Sequence, residues 1–152
     1  MTETRWTPRA TVAAIIEEAG SFLLVEEHDA GQPVFNQPAG HLEEGESLIE
    51  AVQRETREET GLHFIPGYLV GIYRWQRDAD SPCFLRFCFG GQIHRDADAR
   101  PLDSAIVATH WKPYAELAGL PLRSPLVMRC IDDYLAGRRY HLDLLRDIPG
   151  AD

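Results

Sequence analysis

The chain has 152 residues, of which 44% are hydrophobic and 26% charged; these values are typical of one globular domain with a single core and exclude a disordered chain. The formal charge of -9 argues against a broad surface for duplex nucleic acid, although a metal or a local basic pocket would still allow a small anionic ligand. No apolar run is long enough to span a membrane, and the N-terminus lacks a hydrophobic signal region. We therefore expect one cytoplasmic domain over residues 1–152, with no membrane contact and no visible obligate protein partner.

The three cysteines are Cys83, Cys88 and Cys130, and no two of them form a CxxC pair. An odd number without a secretory signal favours neither a disulfide framework nor a zinc site. We expect buried free thiols.

The order of the predicted elements indicates an α+β fold with a mixed sheet, a helix in the middle of the chain and another near its end. These elements are a hairpin around Ala19-Gly20-Ser21 within residues 11–27, a long functional loop over 28–46, a helix over 48–60, strands over 67–75, 83–93 and 104–111, a short helix within 112–120, and a helix from Ser124-Pro125 to Gly137. For the middle helix, Ser47 and Glu50 form a capping-box pattern, and Gly61 suits the position just after the helix.

On a helical wheel, the middle helix carries carboxylates on its apolar side. Glu55 and Glu59 fall within about 20° of Leu48, and Glu58 lies about 80° to one side. The apolar stripe itself is defined by Leu48, Ala51, Val52 and Leu62. A solvated, ion-paired surface would have no reason to lie on this stripe.

Three glutamates within one turn repel one another, and partial burial raises the cost of ionising them. Either some of them are protonated or a multivalent cation lies among them. Oxygen ligands with one solvated side suit Mg²⁺ or Mn²⁺. Arg54 is four residues from both Glu50 and Glu58 and can pair with either.

Residues 40–62, GHLEEGESLIEAVQRETREETGL, match the pattern Gx5Ex7REUxEExGU, where U is a bulky aliphatic residue. The matching positions are Gly40, Glu46, Arg54, Glu55, Glu58, Glu59, Gly61 and Leu62. Thr56 departs from the pattern, which weakens packing but leaves the carboxylates unchanged. The chain thus resembles the Nudix hydrolases. The segments NQPAGHLE, FLRF, LRSPLV and GRRYHL further resemble a bacterial phosphatase subgroup of that family.

The resemblance implies an α/β/α sandwich around a mixed sheet and Mg²⁺-dependent hydrolysis of phosphate anhydrides, with Mn²⁺ as a possible substitute. The subgroup releases inorganic phosphate from nucleoside tri- and diphosphates and from hydroxymethylpyrimidine pyrophosphate, a thiamine precursor. The alternative is a pyrophosphohydrolase of dinucleoside polyphosphates or nucleotide sugars. Outside the enzyme class, a nucleotide-binding regulatory module is the rival.

The same resemblance assigns roles within the matched segment. Glu55 and Glu59 are implied as the principal metal ligands, joined by Glu58 and the Ala39 carbonyl. Arg54 would orient the glutamates with support from Glu46, while Gly40 and Gly61 would permit tight turns. Glu55 is the first choice of general base, and Asp103, before a predicted strand, is the alternative.

Four residues outside this helix are candidates for substrate binding. Arg86 lies within an apolar strand and would either bind a phosphate or form a structural ion pair. Arg123 precedes a helix start that favours anions, although an ordinary surface arginine is equally compatible. Gln37 and His41 flank the proposed metal loop and would either contact substrate or pack as polar loop residues.

Overall fold

The computed structural model describes residues 2–150, so Met1, Ala151 and Asp152 of the predicted domain lie outside the described residues. The expected α+β class is confirmed. The helices are α1 (Leu48–Thr60), α2 (Tyr114–Leu117) and α3 (Leu126–Leu135), and a short 3₁₀ helix spans Leu142–Leu144. The strands are β1 (Arg9–Ile15), β2 (Glu17–Glu18), β3 (Ser21–Asp29), β4 (Gln32–Asn36), β5 (Ala39–His41), β6 (His63–Gln76), β7 (Cys83–His94) and β8 (Ala108–Pro113).

The strands form two four-stranded sheets. The first has the order β5-β1-β7-β6 and is mixed, because β1 runs parallel to β7 while β5 and β6 are antiparallel to their neighbours. In the second, β3 pairs antiparallel with β2, β4 and β8. The candidate site is built on the first sheet, whose strands β5, β6 and β7 contribute residues to it.

Strand β1 is apolar along almost its whole length because both of its faces are covered. Val12 and Ala14 pack in a core with residues of α1, whereas Ala13 and Ile15 pack in a second core with residues of α3. The mixed sheet therefore lies between two helices, and the expected α/β/α sandwich is confirmed.

The predicted hairpin is correct at its turn but wrong in its extent. Ala19 and Gly20 have φ of 48° and 82°, and this turn joins β2 to the start of β3. The longer run before the turn does not pair with β3. It becomes β1 and pairs with β7, which lies about 70 residues further along the chain, so local sequence does not reveal the partner.

The predicted long loop over 28–46 is also wrong, because β4 and β5 lie within it. Ala30 and Gly31, with φ of 51° and 79°, form a tight turn between β3 and β4. Strand β5 then pairs with β1 in the other sheet. The glycines and prolines of this segment therefore mark turns between short strands.

The strand predicted over 104–111 begins later, at Ala108, because Asp103 accepts hydrogen bonds from the amides of Ala105 and Ile106 and forms a turn there. The last predicted helix forms as α3 from Leu126, with the Ser124 hydroxyl accepting from its first amide. All three cysteines are buried and free, as expected.

Candidate active site

Helix α1 has the predicted bounds, and both of its ends are fixed locally. The Ser47 hydroxyl accepts a hydrogen bond from the Glu50 amide at 3.1 Å, and the Glu50 carboxylate accepts one from the Ser47 amide at 3.2 Å. Gly61 has φ of 77°, and a Cβ atom on it would lie 2.2 Å from the Arg100 backbone nitrogen. A side chain is therefore excluded at Gly61 by both conformation and space.

Thr56, which departs from the family pattern, is fully buried in α1. Its hydroxyl donates to the Val52 carbonyl at 2.8 Å, one turn earlier. The substitution of an aliphatic residue by threonine therefore leaves no unsatisfied hydroxyl in the core.

The carboxylates of α1 lie against strand β5. Glu59 is only 3% exposed, and its Oε1 accepts a hydrogen bond from the Ala39 amide at 2.7 Å. Glu55 lies against Gly40, where a Cβ atom would be 2.1 to 2.4 Å from the carboxylate atoms. Glu58 is more open, with 43% of its side chain exposed. Glycine at position 40 is therefore what lets the strand approach the helix so closely.

Arg54 lies among these acids and connects them to the preceding loop. Its guanidinium donates to both Glu46 oxygens at 2.7 and 2.9 Å, to Glu55 at 2.8 Å and to Glu58 at 3.3 Å. A further bond goes to the His41 carbonyl at 2.9 Å. Of the two pairings open to Arg54 in the sequence, the one with Glu58 forms, because Glu50 is used in the helix cap.

The environment of the acids affects their protonation in opposite directions. Burial raises the pKa of Glu59 to about 9, opposed by the Ala39 amide and reinforced by the charges of Glu55, Glu27 and Asp103. Burial also raises the pKa of Glu55, although Arg54 opposes the shift. Hydrogen bonding to Arg54 lowers the pKa of Glu46. One arginine therefore does not compensate the buried acidic charge.

The donor set of this cluster fits a hard divalent cation, because carboxylate oxygens are its preferred ligands and a cation would favour the ionised forms that burial disfavours. Within residues 2–150, no three acidic, histidine or cysteine side chains already converge on one point as metal ligands. The carboxylates are instead engaged by Arg54 and by the Ala39 amide. The site thus has the chemistry for a cation while its oxygens are held by protein groups.

Asp103, the alternative base, lies in the loop that docks on the last turn of α1. The amides of Leu102 and Asp103 both donate to the Glu58 carbonyl, at 2.7 and 2.8 Å. The Asp103 carboxylate also raises the pKa of Glu59, so the two groups are near each other. Both base candidates therefore lie in the same acidic region.

A cavity of about 410 Å³ opens beside strand β5, which forms part of its wall. Arg86, Arg123 and His41, three of the four predicted substrate contacts, line it. Ala39 and Gly40 also line it, and these two residues touch Glu59 and Glu55. The cavity therefore reaches the strand against which the acidic residues lie.

Arg86 is a buried cation, 5% exposed, on the wall of this cavity. It donates to the Gln37 side-chain carbonyl at 2.9 Å and to that of Asn36 at 3.4 Å, and its Nε has no partner within residues 2–150. Among the same residues, no carboxylate lies within 4.0 Å of it. The structural ion pair is therefore ruled out for the described chain, and Arg86 faces the cavity without an anion.

Gln37 does not line the cavity and is 1% exposed. Its amide nitrogen donates to the Val127 carbonyl of α3 at 2.7 Å, and its oxygen accepts from Arg86. Both ends of the side chain are therefore occupied. Of the two roles expected for Gln37, its position agrees with polar packing and not with substrate contact: it lies behind Arg86 and holds the guanidinium.

Arg123 and His41 are exposed and differ in their partners. The Arg123 guanidinium pairs with Glu27, and its backbone amide donates to the Phe35 carbonyl at 2.8 Å. The His41 ring lies 6.4 Å from the Phe84 ring, and its carbonyl accepts from Arg54. His41 therefore contacts the acidic network through its backbone while its ring faces the cavity.

Sequence reasoning missed several further cavity residues, among them Trp75, Phe84, Asn36 and Glu27. Phe84 is two residues before Arg86 in β7, so the two side chains lie on the same face of the sheet. Trp75 of β6 lies directly opposite Phe84. The period-two pattern around Arg86 was therefore a usable signal for the aromatic pair. Nothing in the sequence indicated Glu27 or Asn36.

Comparisons with known proteins agree with the fold and with the sequence pattern. The NUDIX domain model matches residues 6–131. Phosphatase NudJ of Escherichia coli strain K12 is 40% identical over 141 residues, which cover 92% of each chain. A solved NUDIX hydrolase from Nitrosomonas europaea is 48% identical, with a TM-score of 0.89, and covers 95% of this chain and 100% of its own.

A more distant solved structure, the NUDIX domain of Shewanella oneidensis NrtR, is 19% identical and has a TM-score of 0.72 over 88% of this chain and 90% of its own. At that identity the likeness shows the fold alone. Within residues 2–150, no helix is long and apolar enough to cross a membrane. Because the family model covers most of the chain and its close relatives match almost end to end, the chain belongs to the Nudix family and is a Nudix hydrolase acting on phosphorylated compounds.

Proposed function

We propose that this chain is an Mg²⁺-dependent phosphatase that releases inorganic phosphate from nucleoside tri- and diphosphates and from hydroxymethylpyrimidine pyrophosphate. One observation carries the proposal: a cavity with a buried, anion-free Arg86 on its wall reaches the strand that covers the carboxylates of α1. The 40% identity to a protein named as a phosphatase supports the reaction class.

Glu55, Glu58 and Glu59, with the Ala39 carbonyl, would hold Mg²⁺, and Mn²⁺ would substitute for it. When bound, the cation offsets charge on phosphate oxygens and lowers the pKa of an attacking water. Arg54 keeps Glu55 and Glu58 in place through bonds of 2.8 and 3.3 Å, and Glu46 fixes Arg54 from the other side. The acidic residues are therefore positioned by one shared arginine.

The attacking water loses its proton to a carboxylate while its oxygen forms the new bond to phosphorus and the anhydride bond breaks. Glu55 is the first candidate for this base, since its carboxylate lies against Gly40, which lines the cavity. Asp103 is the alternative, since its loop is docked on α1 next to Glu59. Comparison of Glu55→Gln with Asp103→Asn over a range of pH would separate the two.

Arg86 binds a phosphate of the substrate from the cavity wall, with Gln37 holding its guanidinium from behind. Arg123 adds a second cation at the rim, although its pairing with Glu27 means that a phosphate has to compete with that carboxylate. His41 adds an exposed ring to the lining of the same cavity, 6.4 Å from the Phe84 ring. The phosphate chain would thus lie between Arg86 and strand β5.

A second cavity, of about 440 Å³, supports an alternative class of substrate. It shares Trp75, Arg77, Arg123 and Ser124 with the first cavity. Together the two cavities offer space for a second group attached beyond the phosphates. Hydrolysis of dinucleoside polyphosphates or nucleotide sugars, by a pyrophosphohydrolase, is therefore the second candidate function.

The deciding experiment incubates the protein with a panel of nucleoside tri- and diphosphates, hydroxymethylpyrimidine pyrophosphate, dinucleoside polyphosphates and nucleotide sugars, with Mg²⁺ or with a chelator. Chromatography then separates inorganic phosphate from pyrophosphate release. We expect phosphate from the first three classes and no turnover with chelator. Predominant pyrophosphate and nucleoside monophosphate from a triphosphate would contradict the proposal.

A further inference from the structure

Two aromatic rings at one end of the first cavity have no part in either hydrophobic core. Trp75 and Phe84 are only partly buried and face the cavity, whereas the core clusters on the two faces of the mixed sheet are formed by other residues. Their ring centroids are 6.1 Å apart, and the ring planes differ by 20°. A stacked pair at a cavity wall, outside the core, offers a flat apolar surface to a ligand.

The pair is held rigidly by the sheet. Trp75 and Phe84 lie directly opposite each other in β6 and β7, one residue pair before the ends of these strands at the turn that joins them. The His41 ring extends the aromatic surface on the other side of Phe84. Because the rings stand on paired strands, a ligand does not have to order them when it binds.

The buried charge of the cavity gives it a direction, since the other two arginines of the lining, Arg77 and Arg123, are exposed. Arg86 follows Phe84 by two residues on the same face of β7, about 7 Å along the strand. Strand β5, which touches the carboxylates of α1, is at the opposite edge of the sheet from β6, roughly 14 Å away. The cavity therefore runs from an aromatic end, past a buried cation, to strand β5, against which the acidic helix lies.

We propose that the Trp75–Phe84 pair is a subsite for the aromatic ring of the substrate, so that this enzyme selects phosphate anhydrides attached to a flat heterocycle. The inference rests on the proposed function only in placing the phosphates of the substrate between Arg86 and strand β5. Stacking does not depend on the hydrogen-bonding pattern of a base, and thus the subsite accepts purine and pyrimidine rings alike. Aliphatic and inorganic polyphosphates gain nothing from it.

A cross-strand aromatic pair can also stabilise the sheet. Loss of a purely structural role would lower activity on every substrate equally, whereas loss of a subsite would lower it only for substrates with an aromatic ring. The test compares kcat and KM for a nucleoside triphosphate and for inorganic tripolyphosphate, in the wild type, Trp75→Ala, Phe84→Ala and the conservative Trp75→Phe. We expect KM for the nucleotide to rise about 5- to 100-fold in the alanine variants. The ratio of kcat/KM for the nucleotide to that for tripolyphosphate should fall by a similar factor, and Trp75→Phe should restore most of it.

An equal loss on both substrates, or an unchanged ratio, would overturn the subsite. A second measurement does not require turnover. In the Glu55→Gln background with Trp6→Phe and Trp111→Phe, Trp75 is the remaining tryptophan, and its fluorescence is titrated with a nucleoside diphosphate and with pyrophosphate in the presence of Mg²⁺. Quenching by the nucleotide and not by pyrophosphate supports the subsite. This result would hold even if the wild type hydrolysed none of the panel substrates, and in that case only the proposed function would fail. Equal quenching by pyrophosphate, or none by either ligand, refutes it.

Discussion

Glu59 and Arg86 are the buried ionisable groups of two contrasting regions: Glu59 lies against strand β5, and Arg86 lies on the cavity wall. The two residues are 3% and 5% exposed. Glu59 lies near the charges of Glu55, Glu27 and Asp103 and has one backbone amide as a donor. Arg86 has amide oxygens as partners and, within residues 2–150, no carboxylate within 4.0 Å.

When ionised, the carboxylates around Glu59 outnumber the one arginine, Arg54, that pairs with them, and Arg86 has no anion within residues 2–150. An uncompensated buried charge is costly. The surface of the same molecule behaves differently, since Arg95 forms two bonds to Glu18 at 2.6 and 2.8 Å. A cation at the acidic region together with a phosphate at Arg86 would neutralise both. On the proposed function, the acidic region is the reacting centre and the basic region provides substrate affinity.

The largest expected effect is on the acidic region. Glu59→Gln and Glu55→Gln should each lower kcat by about 100- to 1,000-fold, because each removes a charged oxygen at the centre where charge develops. Steady-state kinetics measure this, with circular dichroism and thermal unfolding to verify the fold. Glu44→Gln is the matched control, since Glu44 is exposed in the loop before α1. Near wild-type turnover in either variant would break the assignment.

The second expected effect is on the basic region. Arg86→Met should raise KM by about 10- to 100-fold with a smaller change in kcat, because the variant loses charged hydrogen bonds to a phosphate. Arg86→Lys keeps the charge but not the fork of donors, and it should recover only part of the affinity. A fall in kcat with a constant KM would contradict the assignment of substrate affinity to the basic region.

A smaller effect is expected for Gln37→Leu, which leaves Arg86 without its 2.9 Å partner and the Val127 carbonyl without its donor. KM should rise about 5- to 10-fold, and the free energy of unfolding should fall by about 1 to 3 kcal/mol. Gln53→Leu is the control, since the Gln53 amide also donates to a backbone carbonyl, that of Phe64, away from the cavity. A KM equally raised in the control would remove Gln37 from the substrate side.

The last expected effect does not involve turnover and concerns the stability of metal-free protein as a function of pH. The folded pKa of Glu59, about 9, exceeds its ordinary value of 4.5, so its contribution to stability is greatest at low pH and is lost as the pH rises from 4.5 to about 9. Urea unfolding with chelator at pH 6, 7 and 8 should show wild type losing at most about 1.4 kcal/mol per pH unit more than Glu59→Gln. Parallel curves for the two proteins would contradict a buried, protonated Glu59.

Helix α1 was predictable because its signals are local. The cap residues Ser47, Glu50 and Gly61 lie within one turn of the helix ends, and the periodic placement of Glu55 and Glu59 indicated carboxylates on the inward side. The pairing of β1 was not predictable in the same way, because its parallel partner β7 is distant in sequence and both are apolar. Segment 28–46 was misread for a related reason, since its strands are short and lie in different sheets.

By itself, the sequence determined the family pattern, the acidic helix and the presence of an arginine in an apolar strand, because these depend on residue type and short spacing. Tertiary structure alone decided that Gln37 lies behind Arg86, that Gly40 admits the Glu55 carboxylate, and that Trp75 and Phe84 stack at the cavity. Each of these contacts joins segments about 10 to 50 residues apart. Their geometry follows from the order and register of strands, which no local pattern encodes.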